Sequence, residues 1–225
     1  MYYTSKRNDR IGMQIYAMIS TINYCEINNY TYIHSPLPSP YEGIFNLGKN
    51  QKHINEKENG EKITNYGFFH NLLDDKTNFN NFSNSFRKSL IDKYNYKKNI
   101  NQNTNYIKIC IHVRRGDTIR HNNKPQLIER FCDDNYLKLI LYKIHTLINK
   151  PVKIFIHSDS IINIDNFNTY NLDIKTCFDY TPMKSLNDMI NCDILFRKGI
   201  SAFSGICAIY NTNIVGGKKI ISLIK

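Results

Sequence analysis

The chain has 225 residues, 41% of them hydrophobic, enough to bury a core in one domain or two small ones and too many for a disordered tail. Its 30 Lys and Arg against 19 Asp and Glu give a formal charge of +11, which favours anionic partners such as nucleotides, nucleic acid or acidic membranes. Six scattered cysteines show no C-x-x-C pair or zinc spacing, and there is neither a signal-peptide core nor a run of 18 apolar residues, so buried free thiols, no membrane anchor and a cytoplasmic location are expected.

Residues 2–3 make a short apolar start, and a polar turn follows over 5–9. From Gly12 onward Ile15, Met18, Ile19 and Ile22 recur at helical spacing, so Gly12 and Gln14 open an amphipathic helix that runs to about Cys25. Such an N-terminus can bind an anion or a sugar; a plain turn is the other reading of Gly12. A short strand is expected over 30–34, closed by three prolines within 35–40. The stretch 41–105 carries little pattern: a polar loop over 49–62, an aromatic cluster at Tyr66, Phe68 and Phe69, a helix near 85–96, and an Asn-rich linker over 98–105.

Residues 106–113 are mostly β-branched, aromatic or sulfur-containing, with only Lys108 and His112 polar, the composition of a strand buried on both faces. After a polar loop to Pro125, Asp133 and Asp134 are N-cap candidates for a helix to about Lys150 that carries Leu137, Ile140, Leu141 and Ile144. A second strand of the same design spans 152–157, so strand, helix and strand form a βαβ unit with parallel strands. Shorter elements follow: a strand near 174–178, a helix near 185–191, a strand at 193–196, a helix over 205–210 and a last strand at 219–223. The fold class is α/β, with an N-terminal domain over 1–105 and a C-terminal domain with a mostly parallel sheet over 106–225.

The central strand stops in charge. Arg114 and Arg115 present two guanidinium forks at its C-terminal end, Gly116 permits a sharp turn, and Asp117 can fix one fork by a two-point hydrogen bond. Ligands of open α/β sheets bind beyond the carboxyl ends of strands, so an anion, above all a phosphate, is expected there. A surface Arg pair is the alternative, and an R-G-D adhesion motif fits least, because adhesion needs an exposed flexible loop. The strand at 152–157 also ends in polar residues, Ser158, Asp159 and Ser160, which face the same crevice. Ser201 and Ser204 lie on a strand-to-helix loop, where hydroxyls and free N–H groups can hold phosphate oxygens; Ser204 also reads as an N-cap.

Together H-V-R-R-G-D (112–117), H-S-D (157–159), D-M-I-N-C-D-I-L (188–195) and S-A-F-S (201–204) resemble the GDP-fucose-dependent fucosyltransferases, the superfamily of α-1,2-, α-1,6- and protein O-fucosyltransferases. R-I-G-M-Q (10–14) is similar to the family's G-x-G-N-Q loop. The likeness covers 106–212 well and 1–30 loosely. It implies two Rossmann-like lobes of the GT-B kind, the C-terminal one binding GDP-fucose as donor substrate, a carbohydrate or other hydroxyl acceptor, and no metal or other cofactor. Carried over by position, Arg114 pairs with the β-phosphate and stabilises the GDP leaving group, while His112 and Arg115 shape that pocket. Asp159 accepts from the guanine edge, Ser201 and Ser204 bind pyrophosphate oxygens, and Phe203, Ser158, Asp117, Gly12 and Gln14 complete the donor site.

The sequence contains no D-x-D, the pair that holds Mg²⁺ in many other glycosyltransferases, so metal-independent inverting transfer is expected. Met13 stands where the family carries Asn in G-N-Q, and Gly205-Ile206 replaces the aromatic pair that often follows F-S. These departures leave a donor-binding protein with weakened activity as one alternative; a transferase using another nucleotide sugar is a second, because an Arg pair recognises diphosphate and not the base or sugar. A nucleic-acid-binding protein fits less well, since no basic helix or aromatic platform motif accompanies the charge.

Overall fold

Tyr2–Thr4, which reads in the sequence only as an apolar start, forms strand β1 and takes an inner place in a sheet. The computed structural model describes residues 1–56, 63–65, 82–96, 105–116, 131–167, 170–198 and 201–211, and divides into two units, Met1–Lys97 and Lys98–Lys225. The aromatic cluster at Tyr66, Phe68 and Phe69, most of the linker, Asp117 and the strand at 219–223 lie outside the described residues.

In the first unit β1 pairs in parallel with β2 (Thr31–His34), and β3 (Lys52–His53) adds in parallel beyond β2. Strand β4 (Ile63–Asn65) pairs with the other edge of β1, so the order is β3-β2-β1-β4. Helix α1 (Ile11–Asn28) links β1 to β2 and buries Ile15, Ile19 and Ile22. It runs past Cys25 because its end is set by backbone: Asn29 adopts φ 55°, which Asn tolerates, and Tyr30 N–H returns to the Cys25 carbonyl at 2.9 Å. The proline-rich stretch leads into α2 (Tyr41–Phe45), and α3 (Asn84–Lys93) is capped by Ser83, whose Oγ accepts from Phe86 N–H at 3.1 Å.

The loop after β2 is pinned by a buried histidine. His34 is fully buried, with Nε2 3.0 Å from Glu42 Oε1, and Glu42 Oε2 accepts from Leu37 N–H at 2.8 Å. Burial holds the His34 pKa below its usual value against the opposing charge of Glu42. Gly48 lies so close that a Cβ there would stand 2.5 Å from the ring, which seals His34 from solvent.

The second unit is built on β5 (Ile107–Val113), flanked in parallel by β6 (Val152–Ser158) and β8 (Ile194–Arg197), with β7 (Asp173–Thr176) outside β6. Between β5 and β6 runs α4 (Asp134–Leu147), N-capped by Asp133, whose Oδ1 accepts from Tyr136 N–H at 2.7 Å. Its Leu137, Ile140, Leu141 and Ile144 pack on Ile109, Ile111 and their neighbours on one sheet face. The other face meets α5 (Pro182–Ile190) and α6 (Ala202–Tyr210). There Lys108 Nζ donates to Asp188 Oδ1 of α5 at 2.8 Å, and Lys108 N–H to Asp193 Oδ2 at 2.8 Å, so both aspartates of the D-M-I-N-C-D stretch tie to β5.

Both helices start three residues before the periodicity suggests. Thr181 Oγ1 accepts from Lys184 N–H at 3.3 Å with Pro182 at the first helical position, an arrangement that favours starting there. Helix α6 starts at Ala202, so Ser201 takes the N-cap position and Ser204 lies inside the first turn, not at the cap. All six cysteines are free and buried. No helix among the described residues is long and apolar enough to cross a membrane.

Candidate functional site

Beyond Val113 the chain turns through Arg114, Arg115 and Gly116, and the turn is fastened on two sides. On the β6 side, Asp159 Oδ1 accepts from the backbone N–H of Arg115 at 2.8 Å and of Gly116 at 2.9 Å. Gly116 approaches so closely that a Cβ would meet the Asp159 carboxylate and carbonyl at 3.1 Å, which is why the turn closes on a glycine. On the α4 side, Arg115 Nε donates to the Cys132 carbonyl at 2.9 Å, and its terminal nitrogen pairs with Asp134 Oδ1. Cys132 N–H returns to the Arg114 carbonyl at 3.2 Å. Among the described residues, the Arg115 fork is held by Asp134 and Cys132. Arg115 is an anchor, and its cation is largely answered by Asp134.

Across the sheet, His112 is in register with His157 of β6 and with Arg197 of β8. Phe203 of α6 packs on His112 with ring centroids 5.9 Å apart, which brings H-V-R-R and S-A-F-S together. His112 is pushed down to about 4, by burial first, with His157, Arg114 and Arg197 adding to the shift and Asp159 opposing it. His157 is 2% exposed, and burial takes it also down to about 4, with Asp188 opposing. Neither His157 nitrogen has a hydrogen-bond partner among the described residues. Both rings are neutral at pH 7.

At the start of α6, Ser201 is 3% exposed and makes no side-chain cap bond, while its carbonyl accepts from Gly205 N–H at 2.8 Å. Ser204 is fully buried, and its hydroxyl lacks a partner among the described residues. Ser158 Oγ accepts from Ser160 N–H at 3.1 Å and shapes the loop that carries Asp159. Gly12 and Gln14 belong to the other unit: Gly12 is buried in the first turn of α1, and the Gln14 amide donates to the Asp9 carbonyl. Asp117 lies outside the described residues.

Sequence reading missed Cys132 and Asp134 as anchors, because a backbone carbonyl and a helix first-turn acid carry no signal of pairing with a residue 17 or 19 positions away. It also missed Tyr180, whose ring meets His157 edge-on at 5.9 Å with Lys184 Nζ 3.5 Å from its centroid. The turn at Arg114, the free hydroxyl of Ser204 and the first N–H groups of α6 form an end of the sheet suited to an anion with several oxygens.

Among known proteins, the sequence model of glycosyl transferase family 11 matches residues 49–222, more than half of the chain and including stretches that show no motif. No curated protein matches the sequence. In structure, the chain is similar to POFUT1 in complex with GDP-fucose, at TM-score 0.58 and 12% identity over 93% of each chain. POFUT1 in complex with GDP gives the same values, TM-score 0.58 and 12% identity over 93% of each chain. NodZ alpha-1,6-fucosyltransferase co-crystallized with GDP gives TM-score 0.46 and 14% identity over 92% of this chain and 91% of that one. At 12% identity the likeness to POFUT1 is one of fold: an α/β chain of two parallel-sheet units, GT-B-like.

Proposed function

This chain belongs to glycosyl transferase family 11 and is a fucosyltransferase-like glycosyltransferase, and from that premise we propose that it transfers fucose from GDP-fucose to a hydroxyl of a carbohydrate acceptor, with inversion and without a metal ion. The observation that carries this reading is the convergence of Arg114, His112 and the first turn of α6 at one end of the second unit's sheet. Arg114 pairs with the β-phosphate, and Ser201, Ser204 and the N–H groups of α6 take the remaining diphosphate oxygens. His112 and Phe203 form the wall between them, and Arg115 holds the turn.

In the transfer, the acceptor oxygen bonds to the anomeric carbon as the carbon–phosphate oxygen bond breaks, and that electron pair leaves on GDP. The hydroxyl proton passes to solvent water as the new bond forms. Negative charge grows on the departing diphosphate, so a fixed guanidinium and aligned N–H donors lower the barrier. Arginine is charged at every working pH, which lets it serve where other enzymes place a divalent cation.

Asp159 has two duties on this reading. One oxygen is spent on the backbone of the Arg115–Gly116 turn, leaving Oδ2 for the guanine edge. Asp159→Ala is expected to lower GDP affinity about tenfold or more, with Asp159→Asn, which keeps an acceptor oxygen, in between; wild-type affinity in both would show that the turn needs no carboxylate.

Titration calorimetry of the protein with GDP, GDP-fucose, GDP-mannose and UDP, in chelator-treated buffer, tests the donor reading. Tight binding of GDP and GDP-fucose but not UDP is expected. A well-folded protein that ignores guanine nucleotides, or binds them only when Mn²⁺ is restored, defeats the metal-independent donor assignment. Met13 favours a second reading, a donor-binding protein with weakened transfer: its thioether replaces an amide, and the neighbouring Gln14 amide is already committed to Asp9. That reading predicts nucleotide binding without GDP release from GDP-fucose, even with acceptors supplied.

A further inference from the structure

His112, His157 and Arg197 occupy one row at the carboxyl end of the second unit's sheet. One position earlier in each strand, Ile111, Ile156 and Phe196 belong to the core packed under α4. Successive side chains of a strand point to opposite faces, so the row stands on the other face, with α5 and α6. Phe203 of α6 lies against His112, and the next residue, Ser204, keeps a buried hydroxyl with no partner among the described residues. The half-buried Arg197 has its backbone fixed, since its carbonyl accepts from Tyr136 OH at 3.1 Å. Because Arg197 is in register with His112 and one position beyond the core residue Phe196, its side chain leaves the strand on the face that carries α6.

A nucleoside diphosphate carries more than one negative charge, and the other groups around this end do little to offset it. His112 and His157 are neutral at pH 7, and Asp159 is an acid. Arg114 follows His112 by two positions at the end of β5, and Arg197 is in register with His112 on β8.

We propose that Arg197 is a second cationic contact of the donor diphosphate, reaching it from the β8 and α6 side while Arg114 reaches it from the end of β5. This rests on the reading of the site as a guanine nucleotide pocket. Arg197 gathers the negative oxygens toward the free hydroxyl of Ser204 and the first turn of α6, and its planar fork suits two phosphate oxygens at once.

Calorimetry with GDP on wild type, Arg114→Ala, Arg197→Gln and Arg197→Lys decides it, with a thermal melt on each. The expected result is a loss of GDP affinity of about tenfold or more in Arg197→Gln at an unchanged melting temperature, with Arg197→Lys between it and wild type. If Arg197→Gln does not fold, Arg197→Lys alone is read: a several-fold loss supports the contact, and wild-type affinity overturns it. Wild type that binds GDP, Arg114→Ala that does not, and a folded Arg197→Gln that binds like wild type overturn this inference and leave the donor site standing. Wild type that fails to bind GDP removes the donor reading itself, a result separate from the others.

Discussion

Arg114→Ala is expected to slow the release of GDP from GDP-fucose by about a hundred- to a thousandfold, with water as acceptor, while the melting temperature stays near that of wild type. On the proposed reading the donor's ground state is held by many groups, but the charge that grows on the diphosphate as the sugar leaves falls on the β-phosphate, which that reading pairs with this guanidinium. The loss should therefore show in kcat as well as in KM. Arg114→Lys keeps the charge and loses the fork, so it should recover part of the rate. Arg115→Ala is a useful contrast, because Arg115 is bound to Asp134 and the Cys132 carbonyl and supports the turn. A normal kcat in Arg114→Ala would assign leaving-group stabilisation to another residue.

The second large effect is on acid stability. His157 is 2% exposed, and in the folded chain it takes a proton only near pH 4, whereas in the unfolded chain it does so near its ordinary 6.5. Between those values the unfolded state binds more protons, so stability falls as pH drops through 6.5 and stops falling from this cause below about 4. A shift of this size corresponds to on the order of 3 kcal/mol for His157 at its limit, with His112 acting in the same direction. For a chain of this length that is a fall in melting temperature on the order of 10 °C. Melts from pH 7.5 to 4.5 should show the decline, and His157→Phe, which places an apolar ring beside Tyr180, should flatten it. A flat wild-type profile, or a decline just as steep in His157→Phe, would mean that the buried rings are not its cause.

Much of the second unit was legible because its elements are regular. The strand of apolar residues ending at Val113, the four-residue apolar face of α4 and the matching strand at β6 each bury surface with a period that one sequence reveals. Element starts set by caps were harder: Thr181 with Pro182 was a readable signal that periodicity overruled, and Ser201 was hidden because Ser204 offers the same chemistry three residues later. In the first unit β1, β3 and β4 are two or three residues long, too short for alternation to show, and they exist as strands because β2 and one another supply their hydrogen bonds.

By itself the sequence determined the α/β class, the order of the main elements in the second unit, and the placing of Arg114 and Arg115 at a strand end, because burial periodicity and residue chemistry are local properties. Only the tertiary structure decided which arginine is an anchor, which oxygen of Asp159 the turn consumes, and that His157, His112 and Arg197 form one row. Those outcomes depend on strand register and on contacts across 17 to 44 positions of chain, and no local pattern encodes either.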